Sequence, residues 1–125
     1  MDELSFAEET INRMKELYGL AGHHEVIRRT IISRIYYSAH HLSRYILRRV
    51  GLRPETWRRN VHQMVIDEIH RQFVTSNLMN AQIVSFLEIM RRHRVNADYQ
   101  LHLTISESDA EEMFASLSSL LRKPL

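Results

Sequence analysis

The stretch 24-HEVIRRTIISRIYYSAHHLSRYILRRV-50 decides the fold. Stepped at 100° per residue, it places Ile27, Ile31, Ile35, Ala39, Leu42, Ile46 and Val50 on one broad face, with Ile32 and Tyr36 widening it. That spacing predicts one long helix over residues 24–50, wide enough in its apolar face to lie at the centre of a bundle. Gly51 stops it and Pro54 follows.

Four shorter helical segments flank the long one. The first is expected over Leu4–Tyr18, where Ala7, Ile11, Met14, Leu17 and Tyr18 recur at helical spacing and Gly19 and Gly22 end the pattern. The third covers Pro54–Val74, with a stripe of Trp57, Val61, Val65, Ile69 and Phe73. The fourth covers Leu78–Ala97, with Met79, Ile83, Phe86, Leu87 and Met90 inward. Residues Asp98–Leu103 read as extended. Thr104 and Ser106 each have an acidic residue three positions on, as in a capping box. The fifth helix follows over Glu107–Leu121, with Ala110, Met113, Phe114, Leu117, Leu120 and Leu121 inward and Pro124 beyond its end. Period-two alternation is nearly absent. The expected class is all-α, an up-down helical bundle of about five helices around one long central helix, in a single domain spanning residues 1–125.

Composition narrows the function classes. There is no cysteine among 125 residues, which excludes disulfides and thiolate metal sites and fits a cytoplasmic location. No apolar run is long enough to span a membrane, and MDELSFAEET has no signal-peptide pattern, so neither a membrane association nor a leader is expected. The net charge of +2 hides an uneven distribution. Residues 1–20 carry two basic and five acidic side chains, whereas residues 21–60 carry nine arginines and two glutamates. Such a block attracts polyanions. Of the 17 basic residues only Lys15 and Lys123 are lysine. Arginine can hold phosphate in a two-pronged grip that lysine cannot reproduce. A general bias toward arginine is the competing explanation.

Three constellations carry candidate chemistry. Opposite the core face of the long helix lie Thr30, Arg34, Tyr37, His41, Arg44 and Arg48. Arg34 and His41 project within about 20° of each other and roughly 10 Å apart along the axis, with Tyr37 between. Together they could hold a phosphate and move a proton near neutral pH; the alternative is a solvated helix face. On the fourth helix, Arg94 projects toward the apolar side and needs a partner. Asp98, four residues on, has ion-pair spacing, and Tyr99 follows. The pair reads either as a structural lock or as an arginine aimed at an anion. His62, with Arg58 and Arg59, opens the third helix and could meet an anion there. The eight histidines do not show metal-ligand spacing: His23–His24 and His40–His41 are adjacent pairs expected to point to different faces. Glycine-rich phosphate loops and the G-x-S-x-G turn are absent. Neither a metal nor a cofactor is expected.

At these residues the chain resembles the HEPN family. The run from Arg28 to His40, with Tyr36 and Tyr37 at its centre, resembles the R-a-Y-Y-A-x-h core of small stand-alone prokaryotic members. His62 resembles the histidine opening their third helix, and Arg94-Val-Asn-Ala-Asp98-Tyr99 resembles their R-x-x-A-D-Y signature. Thr104 to Leu121 resembles their terminal helix. The resemblance covers about residues 5 to 121. It implies a helical bundle that dimerises to form a shared cleft and an association with RNA or nucleotides. It also implies a defence or toxin–antitoxin role, often beside a small nucleotidyltransferase antitoxin.

In family members that are metal-independent endoribonucleases, an R-x4-6-H motif near the start of a late helix does the chemistry. This sequence departs there, because Arg94 is followed by His102 only after seven intervening residues. The formal match is Arg34 to His40 or His41, and of these His41 shares the face of Arg34. Three expectations follow. The first is an endoribonuclease in which Arg94 contacts phosphate, Asp98 orients it, and Tyr37, Tyr99, His41 and His62 transfer protons or hydrogen bond. The second is a non-catalytic module that binds a nucleotide or a partner nucleotidyltransferase. A third is a purely structural homodimer.

Overall fold

The computed structural model describes residues 1–122. Within them the chain is an all-α bundle of five α-helices with no strand. Helix α1 spans Glu3–Ala21 and α2 spans Glu25–Arg48. A short 3-10 turn over Pro54–Thr56 precedes α3, Val61–Ile69, which runs into a π-helical turn, His70–Val74. Helix α4 spans Gln82–Tyr99 and α5 spans Glu107–Arg122. Pro124 lies outside the described residues.

Helix α2 is the central element, packing against α1, α3, α4 and α5. Its Ile31, Ile32, Ile35, Ala39 and Leu47 are fully buried. Val65 and Ile69 of α3, Phe73 of the π turn, Met90 of α4, and Met113 and Leu117 of α5 close the core around them. Polar contacts mark the directions of neighbouring helices. Glu3 opens α1 and pairs with Arg48 at the end of α2, so these two run antiparallel. Late in α4, His93 meets Glu112, early in α5, so these two are antiparallel as well.

Several boundaries differ from the sequence expectation. Gly19 does not end α1, which continues to Ala21. Gly22 is the cap, and a Cβ there would sit 2.3 Å from the Tyr18 ring, so the turn into α2 closes over that ring. Val50 is 45% exposed, because α2 ends at Arg48 and Val50 lies in the turn that Gly51, at φ +91°, completes. The expected helix over Pro54–Val74 is broken. Trp57 is extended and Asn60 is left-handed at φ 50°, a conformation asparagine tolerates better than most residues. Helix α4 starts four residues later than expected and continues through Asp98 and Tyr99, so that segment is helical rather than extended. Of the two candidate caps for α5, Ser106 is used. Its Oγ accepts from the Asp109 N–H at 3.2 Å and its own N–H donates to Asp109 Oδ2 at 2.8 Å.

Candidate functional site

Helices α2, α3 and α4 meet at a cleft of about 80 Å³ lined by Ser33, Arg34, Tyr36, Tyr37, His40, His62 and Arg94. Each side chain is delivered by helical geometry. Residues 33, 36, 37 and 40 are neighbours on the flank of α2, between its apolar and polar faces. His62 stands in the first turn of α3, just after the left-handed Asn60. Arg94 comes from the last two turns of α4.

Arg94 is held from its own helix. Its Nε lies 3.0 Å from Asp98 Oδ2, one turn on, with both side chains 26% exposed. One terminal nitrogen donates to the Tyr99 hydroxyl at 3.3 Å. The guanidinium sits 5.0 Å over the Tyr99 ring and 5.9 Å from the Tyr36 ring centre. Asp98 Oδ2 also accepts from Ser33 Oγ at 3.1 Å, tying α4 to α2. Two of the five guanidinium hydrogens are therefore accounted for.

Across the cleft, Tyr36 and His62 share a hydrogen bond of 2.9 Å between the hydroxyl and Nδ1. The His40 ring is 4.3 Å from that of His62. Burial lowers the pKa of His62, and the charges of Arg94, Arg91 and Arg44 push it the same way. Burial, then the nearby His62 and Arg44, pushes His40 down to about 3. Burial raises the Tyr36 hydroxyl to about 12, against the opposing charges of Arg91 and Arg94. At neutral pH the cleft thus pairs cationic arginines with uncharged imidazoles and a protonated phenol. A neutral imidazole beside guanidinium groups can take a proton without an anion having to be buried. The Nε of Arg44 is buried with no hydrogen-bond partner among the described residues.

The structure divides the candidate residues into two groups. Arg94 and His62 line the cleft, and Asp98 and Tyr99 stand behind it as the partners of Arg94. Arg34 and Tyr37 line it but also line a second, larger pocket of about 380 Å³ between α1 and α2. His41 lies only in that second pocket, with Phe6. Burial and the Arg44 charge lower its pKa. Of Arg58, Arg59 and His62, only His62 reaches the cleft; the two arginines are exposed.

Sequence reading set His41, rather than His40, beside Arg34. In the structure both lie near it, on opposite flanks: His41 toward α1 and His40 in the cleft with Arg94. Tyr36, His40 and Ser33 were missed as site residues because burial gave Tyr36 a core explanation. The available signal was the four-residue step from Tyr36 to His40, one turn on the same flank. His23 and His24 do not diverge either. Their rings are 4.0 Å apart, because they precede α2 in a turn where helical geometry does not apply. No group of three or more His, Cys, Asp or Glu side chains is placed to hold a metal among the described residues. No helix of the described chain is long and apolar enough to cross a membrane.

A family model described as HEPN domain matches residues 3–123. No curated protein and no solved structure matches the chain.

Proposed function

Because the chain belongs to the HEPN domain family, we propose that the Arg94 cleft binds a phosphate of RNA or a nucleotide and that the protein cleaves RNA there without a metal ion. The observation that carries this reading is the meeting of Arg34, Arg94 and a neutral His62 in one cleft of about 80 Å³, small enough to suit a phosphate group.

The roles follow from the geometry. Asp98 orients Arg94, whose remaining donors meet the phosphate oxygens. When His62 donates its Nδ1–H to Tyr36, its Nε2 is free to remove the proton of a ribose 2′-hydroxyl. The 2′-oxygen then attacks phosphorus and displaces the 5′-oxygen, which takes a proton from solvent. The products are a 2′,3′-cyclic phosphate and a 5′-hydroxyl. Arg34 and Arg94 offset the charge that builds on the phosphate oxygens. Tyr37 and Tyr99 flank the cleft as hydrogen-bonding groups.

A second reading is a non-catalytic module that binds a nucleotide or a partner nucleotidyltransferase in a toxin–antitoxin or defence pair. It is favoured by Arg94 already being engaged by Asp98 and Tyr99, with no histidine within six residues after it. Incubating RNA with the protein in excess chelator separates the two. Cyclic-phosphate ends that disappear in His62→Ala support the first. Salt-sensitive binding with intact RNA supports the second. Absence of both defeats the phosphate cleft.

The expected shared cleft of a homodimer is part of the same proposal, as are a single domain over residues 1–125 and a cytoplasmic setting. A mass measurement in solution tests the dimer directly.

A further inference from the structure

We infer that the larger pocket between α1 and α2 receives a nucleobase, so that one nucleotide spans both cavities with its phosphate in the Arg94 cleft. This inference rests on the phosphate reading and assigns the remainder of the ligand.

The first argument is continuity. Arg34 and Tyr37 line both cavities, so the two share a wall. The second is size. At about 380 Å³ the larger pocket falls within the range of small-molecule sites, roughly 300–1,000 Å³, whereas the 80 Å³ cleft is far below it.

The third argument is chemistry. Phe6 meets Tyr37 edge-on at 5.9 Å and His41 edge-on at 6.4 Å. Tyr37 and His41 are 4.4 Å apart. This aromatic group is not part of the buried core cluster, so core packing does not account for it. The Arg34 guanidinium lies 4.6 Å over the Tyr37 ring. Aromatic rings and guanidinium planes are the surfaces on which unstacked bases are bound.

The rim chemistry assigns the orientation. The larger pocket carries the Met1 amine and Arg34 beside Asp2 and Glu3, and Glu3 is already paired with Arg48, so its charges are mixed and a phosphate is better matched by the arginine-lined cleft. Carboxylates can accept from the amino groups of a base. The N-terminus of α1 is no anion site either, since Asp2 Oδ1 already accepts from the Ser5 N–H at 2.7 Å.

The test compares binding of AMP, ribose 5-phosphate and inorganic phosphate by the full chain and by Phe6→Leu. Phe6 touches only the larger pocket, and leucine keeps an apolar side chain there. The expected result is that AMP binds about ten-fold more tightly than ribose 5-phosphate, the contribution of one stacked base. Phe6→Leu should remove that advantage and leave ribose 5-phosphate binding unchanged. A 2-aminopurine nucleotide bound to the unaltered protein should lose fluorescence on stacking, a readout that needs no variant. Equal binding of AMP and ribose 5-phosphate, with 2-aminopurine unquenched, overturns the base pocket and leaves the phosphate cleft standing. If none of the three phosphates binds, the phosphate cleft fails and the base pocket with it.

Discussion

Arg29 and Arg94 grip the same end of α4 and use their donors in opposite ways. Arg29 reaches from the start of α2 to the carbonyls of Ala97 at 2.9 Å and Asn96 at 3.2 Å. It also reaches the Leu103 carbonyl and Glu25, the latter at 3.0 Å. Glu25 in turn accepts from the Ile105 N–H at 3.0 Å. The Arg29 side chain is 13% exposed and its donors are consumed by backbone and carboxylate. Arg94 has one carboxylate and one hydroxyl, and the rest of its guanidinium borders a cleft. The difference teaches that position on a helix does not tell which arginine is committed to the fold; the spending of its five donors does.

The largest expected effect separates the two by stability. Arg29→Ala leaves several carbonyls and Glu25 without their partner. Such losses cost about 2–4 kcal/mol. For a chain of this size the melting temperature should fall by roughly 10 °C. Arg94→Ala removes a partly exposed i,i+4 pair and should cost less than about 1 kcal/mol. Equal destabilisation by the two variants, measured by thermal melting, would erase the contrast.

The second effect reverses the order. Arg94→Ala should lower metal-free RNA cleavage by about 10²–10³-fold, as removal of one preorganised donor typically does. A folded Arg94→Ala protein that cleaves at the native rate would contradict the assignment.

Much of this contrast is already present in the sequence. The spacing of Arg94 and Asp98 forecasts their pairing, because i,i+4 neighbours meet within one helix. The apolar face of α2 forecasts its central place for the same reason. Arg29 as the clamp on α4 was not legible, since its carbonyl acceptors lie 67 or more residues away and the register between helices is set by packing. The pairing of Tyr36 with His62 was hidden likewise. The break at Trp57–Asn60 escaped because the apolar stripe continues across it, while the left-handed Asn60 leaves no trace in periodicity. The end of α4 was placed too early because Asp98 and Tyr99 interrupt its apolar pattern while remaining helical.

The third effect is pH dependence, and it sharpens the view of the cleft as a neutral-imidazole site. His40 has its pKa lowered to about 3 by burial. Above pH 6.5, where the unfolded imidazole is also neutral, His40 contributes no pH dependence. Below 6.5 the unfolded chain takes up a proton that the folded chain refuses, so stability falls as pH drops toward about 3. The urea midpoint should decline over this window, and His40→Gln should flatten the decline. An unaltered slope in His40→Gln would place the proton uptake elsewhere.

The smallest effect concerns Asp98. Asp98→Asn keeps an acceptor for Ser33 but loses the charge that fixes Arg94. Phosphate affinity should weaken by about ten-fold, the scale of one charge-assisted bond, with little change in melting temperature. A loss confined to stability would make the pair a lock and nothing more.

The most direct test observes both arginines at once. In a ¹H–¹⁵N spectrum of the guanidinium Nε–H groups, titration with inorganic phosphate should shift the Arg94 resonance and leave that of Arg29 in place. A stationary Arg94 resonance at saturating phosphate, or equal movement of both, would contradict the account.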